Sequence, residues 1–154
     1  MNTEIENIIH QLQKSEKILV KQGNIIRTEL EKNELMALFN ATLSSDNSVH
    51  LDEKDLKYIS EMKNLESYDI RIKSWKNDKE LAHQLSLVFK EIRRYQHLFC
   101  HITVGLGFSL AEYCTVTDWV RLLMSDDGDF CFGMKFERDE NFALKLFILA
   151  GYEL

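Results

Sequence analysis

Apolar residues in the first third of the chain recur at helical intervals. Ile5, Leu12, Leu19 and Ile26 are spaced by seven and flanked by Ile8, Ile9, Ile18, Ile25 and Leu30. With Lys, Glu, Gln and Asn on the opposite side, this stripe predicts one or two amphipathic helices over 3–43. Ser15, Gln22 and Glu29 stand where a coiled coil wants apolar residues, so the stripe is better suited to packing on the rest of the molecule. Gly23 interrupts it, costs about 1 kcal/mol against Ala, and marks a break or kink. Leu35, Leu38, Phe39 and Leu43 continue the stripe.

A loop of turn formers follows at 44–48, Ser-Ser-Asp-Asn-Ser. Leu51, Tyr58, Leu65 and Ile72 then repeat at seven, which predicts a helix reaching Leu65 or beyond. Asp52, Glu53 and Asp55 in its first turn suit the helix dipole. From Tyr68 to Lys73 apolar and charged residues alternate, so helix and strand both remain open there. Asn77 or Asp78 caps a long predicted helix carrying Leu81, Leu85, Val88, Ile92, Tyr95, Phe99 and Ile102. Its far end, 100–110, also alternates and leaves helix and strand open. Thr117 opens a short predicted helix that stops at Ser125-Asp126-Asp127-Gly128. Phe130, Phe132, Met134 and Phe136 alternate with Cys131, Gly133, Lys135 and Glu137, a strand pattern. The closing stretch 141–150 reads as helix, with Gly151 as its C-terminal cap.

Composition shifts the weight further toward helix. The 154 residues include no proline, so no fixed φ and no missing N–H interrupts a helix. The expected fold is mainly α: one helical domain, 1–154, with a small β-sheet allowed in its C-terminal half. The N-terminal helical part spans about 1–98 and the mixed part about 99–154. An all-α helical bundle is the alternative. With 45% hydrophobic residues, the chain is too apolar to be disordered.

Charge narrows the function classes. The net charge of −6 disfavours nonspecific attraction to nucleic acid or anionic lipid. It is unevenly spread: residues 51–99 hold ten basic groups against nine acidic, and residues 100–154 four against nine. Cys100, Cys114 and Cys131 form an odd set without a Cys-x-x-Cys pair, which points to reduced thiols in the cytoplasm. Neither a leader nor a membrane span is expected, since the most apolar stretch, 98–114, is broken by His101, Gly105, Gly107 and Glu112.

Motifs for chemistry are weak, and neither cofactor nor metal is expected. His97 and His101 share a helical turn, yet no third ligand stands at a related spacing; in a strand they lie about 13 Å apart. Asp126-Asp127-Gly128-Asp129 fails as a calcium loop, because Leu123 and Met134 fall at its first and last ligand positions, so it reads as a solvated turn. Gly105-Leu106-Gly107 lacks the third glycine of a dinucleotide loop and reads as packing.

The basic segment 71–94 carries the functional expectation. Arg71, Lys73, Trp75, Lys76, Arg93 and Arg94 are the candidate partner-binding residues, since arginines and aromatics anchor interfaces. The chain is therefore read as a non-enzymatic cytosolic protein-binding module: an adaptor, regulator, chaperone or inhibitor. Its partner is another protein, with a basic one favoured, and self-association is compatible. The alternatives are a nucleic-acid-binding regulator using 71–94, and a small enzyme whose site assembles only in space.

Overall fold

The segment expected to close the chain as a helix is instead a central strand. In a computed structural model, which describes residues 17–21, 24–28, 30, 32–43, 64–89 and 95–151, Leu144–Gly151 is strand β6. It pairs antiparallel with β3 (Glu66–Ile72) on one side and with β4 (Tyr95–Val104) on the other. Two further strands, β1 (Lys17–Lys21) and β2 (Asn24–Thr28), extend the sheet beyond β3, and β5 (Met124–Phe136) extends it beyond β4. The result is a six-stranded mixed sheet ordered β1-β2-β3-β6-β4-β5. Among the described residues three helices cover it: α1 (Lys32–Leu43), α2 (Asp78–Phe89) and α3 (Leu110–Arg121).

The expectation of a mainly α fold, whether one helical domain or an all-α bundle, is therefore corrected to an α/β fold. Within the predicted helix 3–43, Lys17–Lys21 and Asn24–Thr28 pair as antiparallel strands β1 and β2, in register from Lys17↔Thr28 to Lys21↔Asn24. The break expected at Gly23 lies outside the described residues. Residues 32–43 do form a helix, with Leu35 and Phe39 buried. Residues 3–16, the 44–48 loop and the 51–63 part of the next predicted helix lie outside the described residues. The open segment at 68–72 resolves to strand.

The long predicted helix from Asn77 to Ile102 is half right. Asn77 caps α2, its Oδ1 accepting from the Glu80 N–H at 2.9 Å, and Leu81, Leu85 and Val88 are buried on its inner face. The chain is strand again from Tyr95 to Val104. The 130–136 strand is present, as part of the longer β5.

Sheet alternation builds two cores. Tyr68, Ile70 and Ile72 of β3, Leu144, Leu146 and Ile148 of β6, and Leu98, Cys100 and Ile102 of β4 face α2 and α3. Phe99 of β4 with Phe147 and Leu149 of β6 face α1, meeting Leu35 and Phe39. A strand covered on both faces needs apolar residues at consecutive positions, which is why β6 reads as an unbroken run. β4 and β5 are parallel, and α3 supplies the crossover that parallel strands require.

Helix α3 starts earlier than expected because of a capping box. The Ser109 Oγ accepts from the Glu112 N–H at 3.1 Å, and the Ser109 N–H donates to the Glu112 Oε1 at 2.8 Å. Among the described residues no helix is long and apolar enough to cross a membrane.

Candidate functional site

A cleft lies where β4 ends and α3 begins. It encloses about 370 Å³ and is lined by Trp75, Gly105, Gly107, Phe108, Glu112, Arg138, Asp139 and Phe142, among others. The carboxyl end of a parallel strand is the usual place for a ligand in α/β sheets, and the volume falls in the ordinary small-molecule range. Gly105 and Gly107 are not packing glycines: a Cβ at either would meet nothing within 4 Å. They leave the rim of the cleft open, with Leu106 88% exposed between them.

Two carboxylates hold this cleft together. Glu112 accepts from the Trp75 Nε1–H as well as from Ser109, and Trp75 packs edge-to-face on Phe108 with ring centroids 6.2 Å apart. Burial works to raise the Glu112 pKa, but donors from Ser109 and Trp75 outweigh it and hold the carboxyl below its ordinary value. Asp139 accepts from the backbone N–H groups of Asn141 and Phe142 and from Lys145 Nζ at 3.0 Å. These bonds pull its pKa down to about 2.

On the α1 face, beside that helix, a smaller hollow of about 120 Å³ collects polar side chains. Asp69, Arg71, His101, Thr103, Lys135 and Lys145 line it. The register explains the gathering, since Arg27, Asp69, Phe147 and His101 form one row across the strands. Arg71, Lys145, Thr103 and Lys135 form the next row. Asp69 is buried and takes the Arg27 Nη1 at 3.3 Å and the Arg71 Nη2 at 3.0 Å.

His101 is also buried, and desolvation, helped by the Lys135 charge, lowers its pKa from 6.5 to about 4. This predicts a specific acid limb of stability. Above pH 6.5 the imidazole is neutral in folded and unfolded chains alike and adds no pH dependence. Between pH 6.5 and 4 the unfolded chain takes up a proton that the folded one refuses, so stability falls by up to about 3 kcal/mol. Below pH 4 both states are protonated there and the slope ends. Urea unfolding measured across that window should show the loss, and His101→Gln should flatten it; an unchanged slope would place the titration elsewhere.

The third feature is the open edge. β5 ends the sheet order, and its outer side meets no strand among the described residues. Phe130 is 39% exposed and Phe136 36%, and the Arg121 guanidinium lies 5.2 Å from the Phe130 ring centroid. Phe130 and Phe132 stack edge-to-face at 4.9 Å. Between Tyr95↔Met124 and His97↔Asp129 the register jumps, leaving Ser125–Gly128 as a bulge carrying exposed Asp126 and Asp127. The acidic turn expected at 126–129 is thus a bulge within a strand. Gly128 is required there, because a Cβ would meet the Gln96 carbonyl oxygen at 2.9 Å.

Of the six candidate residues of the basic segment, Arg71, Lys73, Trp75 and Lys76 fall within the described residues. Arg71 is drawn onto Asp69 and lies over the Phe142 ring at 5.8 Å. Trp75 is half-buried in the large cleft, while Lys73 and Lys76 are exposed on the connection leading into α2. Arg93 and Arg94 lie outside the described residues. His97 and His101 both sit on strand β4, which separates them too far to share a metal. Among the described residues no group of three or more His, Cys, Asp or Glu is placed to hold a metal ion. Sequence reasoning missed Asp69, Glu112 and the β5 edge. Only Glu112 had a legible signal, the Ser109-x-x-Glu112 box.

No protein-family model matches the chain, and no curated protein resembles it in sequence. Solved structures do share its architecture. A single-substitution mutant of FtsZ from M. jannaschii superposes with a TM-score of 0.57 at 13% identity, covering 78% of this chain and 39% of that one. An empty FtsZ dimer from the same organism gives 0.55 at 15% identity, covering 77% and 38%. The chain spans about two-fifths of the FtsZ chains it matches, and at these identities what it shares with them is the fold alone.

Proposed function

We propose that this chain is a non-enzymatic, cytosolic protein-binding module that docks its partner along the open edge of β5. The observation carrying this reading is an edge strand of 13 residues that leaves aromatic side chains in solvent. Such an edge offers a row of backbone donors and acceptors to an incoming strand, and side chains on alternate positions add selectivity. Natural edges are usually blunted by charge or proline; here the bulge with Asp126 and Asp127 guards one end only, leaving 129–136 regular against β4.

Affinity purification with wild-type chain and Phe130→Asp tests the reading. Partner retention should disappear in the variant while cooperative unfolding persists, and amides of 129–136 should exchange more slowly in the complex. A partner held equally well by Phe130→Asp would move the docking surface elsewhere.

The large cleft favours a second reading, a ligand-binding or enzymatic site, because three aromatic residues and Arg138 converge on it at the carboxyl end of β4. Saturable quenching of Trp75 fluorescence by a small molecule, lost in Trp75→Phe, would advance that reading over the first. The nucleic-acid reading loses ground, because Arg71 is committed to Asp69.

A further inference from the structure

Resting on the second reading, that the cleft at the carboxyl end of β4 holds a ligand, we propose that this ligand is a small monocarboxylate with an aromatic ring, the ring held among Trp75, Phe108 and Phe142 and the carboxylate on the Arg138 guanidinium. The walls argue for the ring. Three of the lining side chains are aromatic, each half-buried, and Trp75 is already set edge-on to Phe108, so little side-chain freedom is left to lose on binding. The mouth is apolar too: Leu106, between the two lining glycines, is 88% exposed and Leu110 77%. A sugar would strand hydroxyls against such surfaces. At about 370 Å³ the space is at the small end of ligand pockets, which run roughly 300–1,000 Å³, and suits one ring with a short arm.

Charge complementarity selects the carboxylate. Among the described residues three ionisable side chains line the cleft: Glu112, Arg138 and Asp139. Both carboxylates already have donors, the Trp75 indole and the Ser109 N–H on Glu112, and two backbone N–H groups and Lys145 on Asp139. Arg138 follows the end of β5 and is exposed, and among the described residues no hydrogen bond, ion pair or ring contact engages it. A guanidinium with its donors unspent accepts a carboxylate through two parallel bonds. A cationic ligand would have to displace donors already seated on Glu112 and Asp139 while facing Arg138. A phosphate's second charge would find no second free cation in the cleft lining and would meet the same two carboxylates. The positive end of the α3 dipole offsets part of the Glu112 charge, which leaves room for a single negative group.

Proton–nitrogen correlation NMR of the full chain tests this, reading the Trp75 indole N–H, identified by its loss in Trp75→Phe, and the Gly105 and Gly107 amides. Three probes share one ring and arm: 3-phenylpropionate, 3-phenylpropionamide and 3-phenylpropylammonium. The acid should shift these signals saturably, with a dissociation constant on the order of 0.1–1 mM for so small a ligand. The amide and the ammonium should bind roughly tenfold more weakly or worse. Arg138→Gln, an exposed change, should leave thermal unfolding in place, weaken the acid roughly tenfold and bring it level with the amide. Arg138→Lys should fall between. Acetate should leave the Trp75 signal where it is. The inference is overturned if the amide or the ammonium binds as tightly as the acid, if the acid keeps its affinity in Arg138→Gln, or if acetate reproduces the shift. In each of those cases the cleft still takes a ligand, so the second reading survives. Signals that none of the three probes moves at roughly 20 mM would remove that reading along with the inference.

Discussion

Asp69→Ala should lower the free energy of unfolding by about 3–5 kcal/mol, the cost of breaking a buried ion pair by removing one partner. The Asp69 side chain is 3% exposed and sits between Arg27 and Arg71, whose side chains are 15% and 29% exposed. Once the carboxylate is gone, two partly buried guanidinium groups remain near one another without the charge that lay between them. Arg27 keeps Glu34 at 3.4 Å, and Arg71 keeps its place over the Phe142 ring, so the loss should sit toward the lower end of that range. Asp69→Asn should lose somewhat less, because an amide still accepts one hydrogen bond. Replacing Arg27 and Arg71 by Met together with Asp69→Leu should recover most of the stability, since apolar side chains of similar bulk avoid the desolvation cost of the ions. Urea unfolding of the three variants provides the comparison. A loss below about 1 kcal/mol for Asp69→Ala would mean that the carboxylate is not committed to the fold. The hollow holding Asp69, His101 and Lys135 would then become a candidate site in its own right.

The physical reason Asp69 was overlooked applies to most of what the residue pattern did not reveal. Seen along the chain, Tyr68 to Lys73 is a polar–apolar alternation, and Asp69 looks like any solvent-facing strand residue. Only the register, which sets Arg27 opposite it and Phe147 beyond, turns its face inward. The same ambiguity misled the reading of β4 and β6. A sheet sandwiched between α1 on one face and α2 and α3 on the other gives its central strands apolar residues at consecutive positions. Leu144 to Ala150 therefore shows no period of two and passes for a buried helix.

For α2 the helical spacing through Val88 is real. Its continuation to Tyr95, Phe99 and Ile102 is coincidental: Phe99 faces α1 while Tyr95 and Ile102 face the opposite core. Some signals were legible. Asn77 as a cap, the buried Leu35 and Phe39 of α1, and the 130–136 alternation are all present. What no local pattern conveys is that β5 lies at the sheet edge, because that depends on α3 carrying the chain across to a parallel pairing with β4. The docking reading rests on that position; of the basic segment, Arg71 takes part in an internal ion pair, Trp75 lines the cleft, and Lys73 and Lys76 are exposed.

Phe39→Ala is expected to be the other large loss, again about 3–5 kcal/mol, through truncation of a buried aromatic anchor. Phe39 is fully buried, and its ring meets Phe147 edge-on with centroids 5.5 Å apart and planes at 86°. Phe147 in turn meets Phe99 at 6.1 Å, so the three rings tie α1 to the two central strands β6 and β4. Removing the ring opens a cavity against β-sheet backbone, which relaxes little. It also forfeits an aromatic pair worth about 0.5–1.5 kcal/mol beyond burial. Among the described residues, the core on this face holds, besides Phe39, Leu30, Leu35, Leu65, Phe99, Phe147 and Leu149, fewer side chains than the core under α2 and α3. The loss should therefore be local before it is global. Amides of 35–42 should exchange faster in Phe39→Ala at denaturant concentrations where those of β6 remain protected. Phe39→Leu, which keeps most of the volume, should cost clearly less. If Phe39→Ala changed the unfolding free energy by less than about 1.5 kcal/mol, α1 would not be seated on the sheet by this cluster, and the second core would have to be drawn again.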